Sequence, residues 1–134
     1  MLKVSEVNGQ FSVSEVWPNT PNSGMRSKFS NPVVHQGFLY GLDDGRIVCL
    51  DAATGKRPWK DKDYGHGQML LAGDKLVILA ESGQLALVEA NPKAFHELGR
   101  FQALKGEKTW NYPAMVGKRA FVRNHEEMAC YELD

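Results

Sequence analysis

The chain has 134 residues, 16 basic and 16 acidic, for a formal net charge of zero. That length suits one domain able to bury most of its apolar surface, and the neutral balance offers no broad attraction for a phosphate backbone, so no nucleic acid partner is expected. The longest apolar runs, residues 69–72 and 76–80, are strand-sized and far short of the ~20 residues of a membrane span, and residues 1–6 lack the basic-then-apolar pattern of a secretion signal.

Residues 2–7 and 10–17 alternate polar and apolar positions around Asn8-Gly9, a strong hairpin signal. Residues 1–17 are therefore predicted as the last two strands of an incomplete repeat. Residues 18–30 carry Pro18, Pro21 and Gly24 among small polar side chains and read as a surface loop, either a partner-binding excursion or a plain crossing. From residue 31 to 60 the chain reads as four strands, with turns at Gln36-Gly37, Asp43-Asp44-Gly45 and Thr54-Gly55. Pro58 is tolerable in the last of them, because an outer edge strand need not donate every ladder hydrogen bond. Residues 68–104 repeat the pattern with turns at Gly73-Asp74 and Ser82-Gly83, and one helical turn is predicted over 92–98, between Asn91 as cap and Gly99 as stop. Residues 111–134 repeat it with three strands.

The segments 37–51, 75–89 and 118–132 align almost residue for residue. Gly45 and Gly83 lie 38 residues apart, and Asp51, Glu89 and Glu132 are spaced by 38 and 43. Such spacing belongs to propeller blades and other arrays, whose units bury their faces only by stacking on neighbours. The predicted fold is all-β: a partial β-propeller of about three four-stranded antiparallel blades.

In a propeller the first strand of each blade is innermost, so the residues just before it line the mouth of the central channel. Registering Val33, Leu71 and Ala114 places Ser30, Gln68 and Asn111 in one ring, and Lys28, His66 and Thr109 in another. Polar rings there suit recognition of a peptide or small polar ligand, and equally suit the hydrogen bonding that converging strands require. His66 stands between Gly65 and Gly67, which suits either presentation of its side chain or a tight turn into a strand. Arg26, Lys28 and Arg123 read as isolated surface charges, and Trp17 and Trp110 as an aromatic contact or packing between blades. Cys49 and Cys130 share one register of the first and third repeats and read as free core thiols, too far apart for a disulfide.

No catalytic residue is expected. The sequence has no Gly-x-Ser-x-Gly, phosphate-cradling Gly-Lys-Ser/Thr or His-Glu-x-x-His, and Glu126 and Glu127, read as neighbours in a strand, would point to opposite faces. The histidines lack metal-ligand spacing, and Asp61-Lys62-Asp63 opens like a calcium loop that has Ala72 where a bidentate Glu is needed. No metal site is predicted.

The segment Cys49-Leu-Asp-Ala-Ala-Thr-Gly-Lys-Arg-Pro-Trp59 resembles the tryptophan-docking motif A-x-D-x-x-T-G-x-x-x-W of PQQ-like (quinoprotein-type) β-propellers, with Cys49 in place of Ala. The resemblance implies a structural docking role for Asp51, Thr54, Gly55 and Trp59; the motif is complete only there, which leaves ordinary apolar packing to hold the later blades together. Residues 64–68, 109–113 and 122–133 look like the closing blades of bacterial PQQ-binding-like repeat proteins, which are similar in architecture to the propeller lipoprotein of outer-membrane β-barrel assembly. What this implies is the C-terminal portion of a seven- or eight-bladed propeller, periplasmic or secreted. Its implied role is a non-catalytic scaffold for a protein partner or small polar ligand. The alternative is the C-terminal fragment of a PQQ-dependent oxidoreductase. Such enzymes are expected to carry a vicinal cysteine pair and acidic calcium ligands, neither visible here, so no cofactor is expected and PQQ is suggested by the family name alone. Open blade edges predict self-association, with the N-terminal hairpin of one copy completing the last blade of another.

Overall fold

A computed structural model describes residues 1–106 and 108–133, and within them all regular structure is β. β1 (Leu2–Val7) and β2 (Gln10–Glu15) form a separate hairpin. Its turn uses Asn8 (φ 52°) and Gly9 (φ 78°), the left-handed pair that matches the twist of two strands joined by two residues. Blade 1 holds β3 (Val33–His35), β4 (Phe38–Asp43), β5 (Arg46–Asp51) and β6 (Trp59–Asp63). Blade 2 holds β7 (Gln68–Ala72), β8 (Lys75–Leu79), β9 (Gln84–Glu89) and β10 (Glu97–Gln102), and blade 3 holds β11 (Ala114–Val116), β12 (Arg119–Arg123) and β13 (Met128–Glu132). Every pairing is antiparallel between consecutive strands, as expected of blades built from hairpins. No helix among the described residues is long and apolar enough to cross a membrane.

The stacking explains the composition of the middle strands. Leu76, Val77, Ile78 and Leu79 are all buried, although alternate strand residues point to opposite sides, because β8 is covered on both faces. On one face Leu76 and Ile78 join Met69, Ala86 and Val88 of blade 2 with Tyr40, Leu42, Ile47 and Cys49 of blade 1. On the other, Val77 and Leu79 join Leu85, Ala103 and Leu104 with Ala120 and Val122 of blade 3. Each fully buried Leu or Ile contributes about 1.5–3 kcal/mol relative to exposure, so adhesion between blades is mainly apolar.

Two tryptophans fix the blade spacing. Trp59 donates its indole N–H to Asn91 O of blade 2 at 3.0 Å and meets the Phe95 ring edge-on. Trp17 does the same one step earlier, donating to Ala52 O of blade 1 at 3.0 Å and lying flat against Gly55. A Cβ on Gly55 would stand 2.6 Å from the Trp17 ring, so the docking surface requires glycine. Between blades 2 and 3 no tryptophan among the described residues serves in this way; Phe101 and Tyr131 meet edge-on at 4.8 Å, and Tyr131 donates its hydroxyl to Ala103 O. An aromatic pair thus reinforces apolar packing at the junction beyond the complete motif.

Several sequence expectations are corrected. Residues 92–94 bend without forming a helical turn, because Asn91 Oδ1 accepts Lys93 N in a side-chain turn and β10 begins at Glu97. Glu126 and Glu127 lie in the β12–β13 loop, where Asn124 Oδ1 accepts both of their backbone N–H groups, so the strand argument about their faces does not apply. Arg26 is not isolated: its backbone and side chain both bind the Asp43 carboxylate, which Lys60 and Arg57 also hold. That cluster pins the loop at 18–30 to blade 1. Cys49 is buried and Cys130 exposed, both free; the two share a register, but blade 2 covers the first while the equivalent face of blade 3 is open.

Candidate functional site at the axial mouth

The inner ends of the blades bring the predicted mouth residues together, in a register that differs from the sequence expectation by one residue in blade 2. The inner hairpins pair His35 with Phe38, Ala72 with Lys75 and Val116 with Arg119. Val33 therefore corresponds to Leu70, not Leu71, and to Ala114. The cause is the β8–β9 loop: Asp43 pairs with Arg46 across two residues in blade 1, whereas Ala80 N bonds Gln84 O across three in blade 2. A spacing taken from Gly45 and Gly83, beyond that loop, carries the extra residue back to the first strand. In a strand, one residue exchanges the two faces.

In the observed register Phe29, His66 and Trp110 are equivalent, and they meet. Phe29 lies edge-on to both, with centroids 6.1 Å from His66 and 5.6 Å from Trp110. Phe29 and Trp110 remain about half exposed, as does Tyr112, whose hydroxyl accepts from Asn31 N at 2.7 Å and so ties blade 3 to blade 1 across the axis. Lys28 corresponds to Gly65, and both adopt left-handed backbone (φ 50° and 62°), which supports the same register. Gly67 enters β7 where a Cβ would stand 2.3 Å from Leu79 O, so close approach of the β8 backbone requires glycine next to His66.

Charge organises the rim. Lys28 Nζ donates to His66 Nε2 at 3.0 Å and lies 3.6 Å from Asp44. Glu81 accepts His66 N at 2.9 Å and the Trp110 indole N–H at 2.7 Å. The backbone N–H of His66, then the Trp110 indole, hold the Glu81 carboxyl below its ordinary pKa against partial burial, so it stays charged. A groove of about 460 Å³ opens beside it, lined among others by Asp63, Gly65, Glu81, Ser82 and Lys108.

Beneath the aromatic rim lie buried polar atoms. Ser30 Oγ, Gln68 Oε1 and Thr109 Oγ1 have no hydrogen-bond partner within the described protein, although Gln68 Nε2 reaches Phe29 O at 3.5 Å. Buried hydroxyls and amides are nearly always bonded, so three such atoms at the entries of three blades, closed off from solvent, mark a polar seam where the strands converge. Asn111 is half-buried. The structure thus assembles Lys28 with His66 directly, and places Ser30, Gln68, Thr109 and Asn111 at the same end. Phe29, Trp110, Tyr112 and Glu81 were not among the expected site residues. Only a correct repeat register would have aligned Phe29 and Trp110 with His66.

The residues present do not fit a quinone–calcium centre. Cys49 is buried in blade 1 and Cys130 lies on the outer face of blade 3, while among the described residues no three His, Cys, Asp or Glu side chains converge to hold a metal.

A family model described as outer membrane protein assembly factor BamB matches residues 5–95. Among solved structures, BamB from Moraxella catarrhalis superposes with a TM-score of 0.60 at 14% identity, over 91% of this chain and 34% of that one. The computationally designed Ika8 protein superposes with a TM-score of only 0.43 at 9% identity, over 78% of this chain and 45% of that one, a likeness too loose to define topology. No match is found among curated protein sequences. The chain spans about a third of the BamB structure it resembles. With its repeats, its docking tryptophans and a family match over more than half its length, the chain belongs to the BamB-like family of PQQ-repeat β-propellers.

Proposed function

We propose that this chain is a non-catalytic propeller scaffold of the bacterial envelope, working at the outer-membrane side of the periplasm, and that it binds a protein segment at the axial mouth. The observation that carries the reading is the convergence of Phe29, His66 and Trp110, equivalent residues of three blades, as a half-exposed aromatic rim over the buried Ser30, Gln68 and Thr109. Tryptophan and tyrosine dominate binding hot spots because they bury large rigid surfaces around a polar tip. Envelope placement rests on the family description, assembly factor of the outer membrane. The scaffold reading over an oxidoreductase fragment rests on the same family description, and no cofactor is assigned.

Selection of displayed random peptides against the chain tests the reading. Peptides with an aromatic or apolar anchor should be enriched, and Trp110→Ala or Phe29→Ala should weaken their binding by roughly tenfold or more, the usual effect of removing a hot-spot aromatic. Enriched peptides indifferent to both substitutions would remove the mouth from consideration. Saturable quinone absorbance changes on adding PQQ with calcium would overturn the non-catalytic assignment.

A further inference from the structure

The loop at 18–30 does more than cross to blade 1, because its first turn forms one wall of a pocket. Ser23 Oγ donates to Pro18 O at 2.5 Å and accepts Thr20 N at 3.0 Å, so residues 18–24 fold back on themselves as a compact turn. Arg57 Nη2 donates to Gly24 O at 2.9 Å and fastens that turn to the connection between β5 and β6. Between the two lies a space of about 540 Å³, with Trp17, Thr20 and Asn22 on one side and Thr54, Lys56 and Arg57 on the other. Its size is that of a small-molecule site, and the indole bond from Trp17 to Ala52 O completes a preformed frame.

The charge of this pocket is one-sided. Two cations line it and no carboxylate does, in a chain with as many acidic as basic residues. Among the described residues no carboxylate stands within 4.0 Å of Lys56 Nζ. Asp43, the counter-ion of Arg57, is shared with Arg26 and Lys60, so one negative charge faces three positive ones. Asp51 is occupied by the backbone N–H groups of Ala53 and Thr54. Unspent donors remain at the pocket: the Lys56 ammonium, the exposed Asn22 amide and the hydroxyl of Thr54, whose oxygen accepts Lys56 N. Excess positive charge with several free donors selects an oxyanion, and Trp17 adds an apolar wall beside them. We infer that the pocket binds an organic phosphate, its phosphate group held by Lys56, Arg57 and Thr54 and its organic part against the Trp17 indole. It goes beyond the axial-mouth reading, since no residue of the mouth lines this pocket.

Phenyl phosphate is a suitable probe, followed in nitrogen-15 spectra. It should shift the Trp17 indole signal and the amides of Thr54 and Lys56 saturably, while the indole signals of Trp59 and Trp110 stay in place. Sodium chloride at equal ionic strength should not reproduce the shifts. Benzoate, with the same ring but one charge where the phosphate ester carries nearly two, should bind more weakly. Lys56→Gln should weaken phenyl phosphate about tenfold, the usual loss for one charge-assisted hydrogen bond. Lys56 is exposed and its ammonium makes no hydrogen bond or ion pair among the described residues, so the variant should keep its fold, which unchanged Trp59 and Trp110 signals verify. Vesicles separate the two sources of a phosphate ester. Lys56-dependent sedimentation with phosphatidylglycerol, without saturable binding of phenyl phosphate, assigns the phosphate to a lipid headgroup; saturable binding of phenyl phosphate assigns it to a soluble ligand. No response to either probe overturns the inference. So do shifts that chloride reproduces, benzoate binding as tightly as the ester, or affinity that Lys56→Gln leaves unchanged.

Discussion

Asp43 shows how one carboxylate sets the position of a long loop. Its side chain is almost wholly buried, and it accepts from Arg26 N at 3.0 Å and from Lys60 Nζ at 2.6 Å, with Arg26 Nε and Arg57 Nη2 also in reach. Burial pushes its pKa up, but Lys60 and Arg26 outweigh that and bring it to about 2. Glu97 is likewise brought to about 2, chiefly by Arg100 and against burial, with help from the Tyr64 hydroxyl. Both folded values lie below the ~4 of an unfolded carboxylate. Their stabilising contribution is therefore complete above pH ~4 and disappears as pH falls toward 2, the sign required of a depressed carboxyl. Urea unfolding midpoints should accordingly hold steady from neutrality to about pH 4.5 and then drop. Asp43→Asn should cost about 2 kcal/mol at pH 7, because Lys60 and Arg57 lose their counter-charge, and should make the acid decline shallower. Wild-type stability of that variant at neutral pH would show that the cluster only decorates the loop.

Elements are held together by docking between neighbouring sheets. The strands were legible because their turns are explicit in the residues: Asn8-Gly9, Gln36-Gly37, Asp44-Gly45 and Gly73-Asp74 all occupy the tight hairpins. The Trp59 anchor was legible because its motif is an unbroken string. Trp17 was legible only as packing between blades, since its partner Gly55 lies in the next blade and nothing in the sequence around Trp17 names it. Cys130 was misread because burial of a strand face depends on a neighbouring sheet and not on the strand. The mouth register failed for a simpler reason, one extra residue between Ala80 and Gln84, which no alignment anchored on Gly83 can detect. Gly55→Ala tests the docking account. The new methyl group meets the Trp17 ring and the left-handed backbone (φ 71°) together, so the change should cost about 1–2 kcal/mol. In a nitrogen-15 spectrum the indole signal of Trp17 should move while that of Trp59 stays in place. Movement of both signals, or of neither, would contradict independent docking of the two rings.

At the scale of the whole molecule the chain is a one-dimensional stack, so its stability should be graded by how many neighbours each blade has. Blade 2 is covered on both faces, blade 1 by blade 2 and by the loop at 18–30, blade 3 on one face only, and the hairpin on neither face of its strands. In such arrays each unit is stabilised by its own folding and by its interfaces, so units with fewer interfaces open at lower free energy. Native-state hydrogen exchange of dilute protein should therefore rank amides of β8 slowest, then β5, then β12, with β2 fastest. The difference between β8 and β12 should widen when Tyr131→Ala removes the Phe101 contact and the hydroxyl bond to Ala103, because that junction lacks a docking tryptophan. Tyr131 is partly buried, so its loss should cost about 1–2 kcal/mol, enough to loosen blade 3 without unfolding blades 1 and 2. Equal exchange free energies across β5, β8 and β12, before and after the substitution, would mean that the arc unfolds as one unit and that its interfaces are stronger than their apolar areas imply.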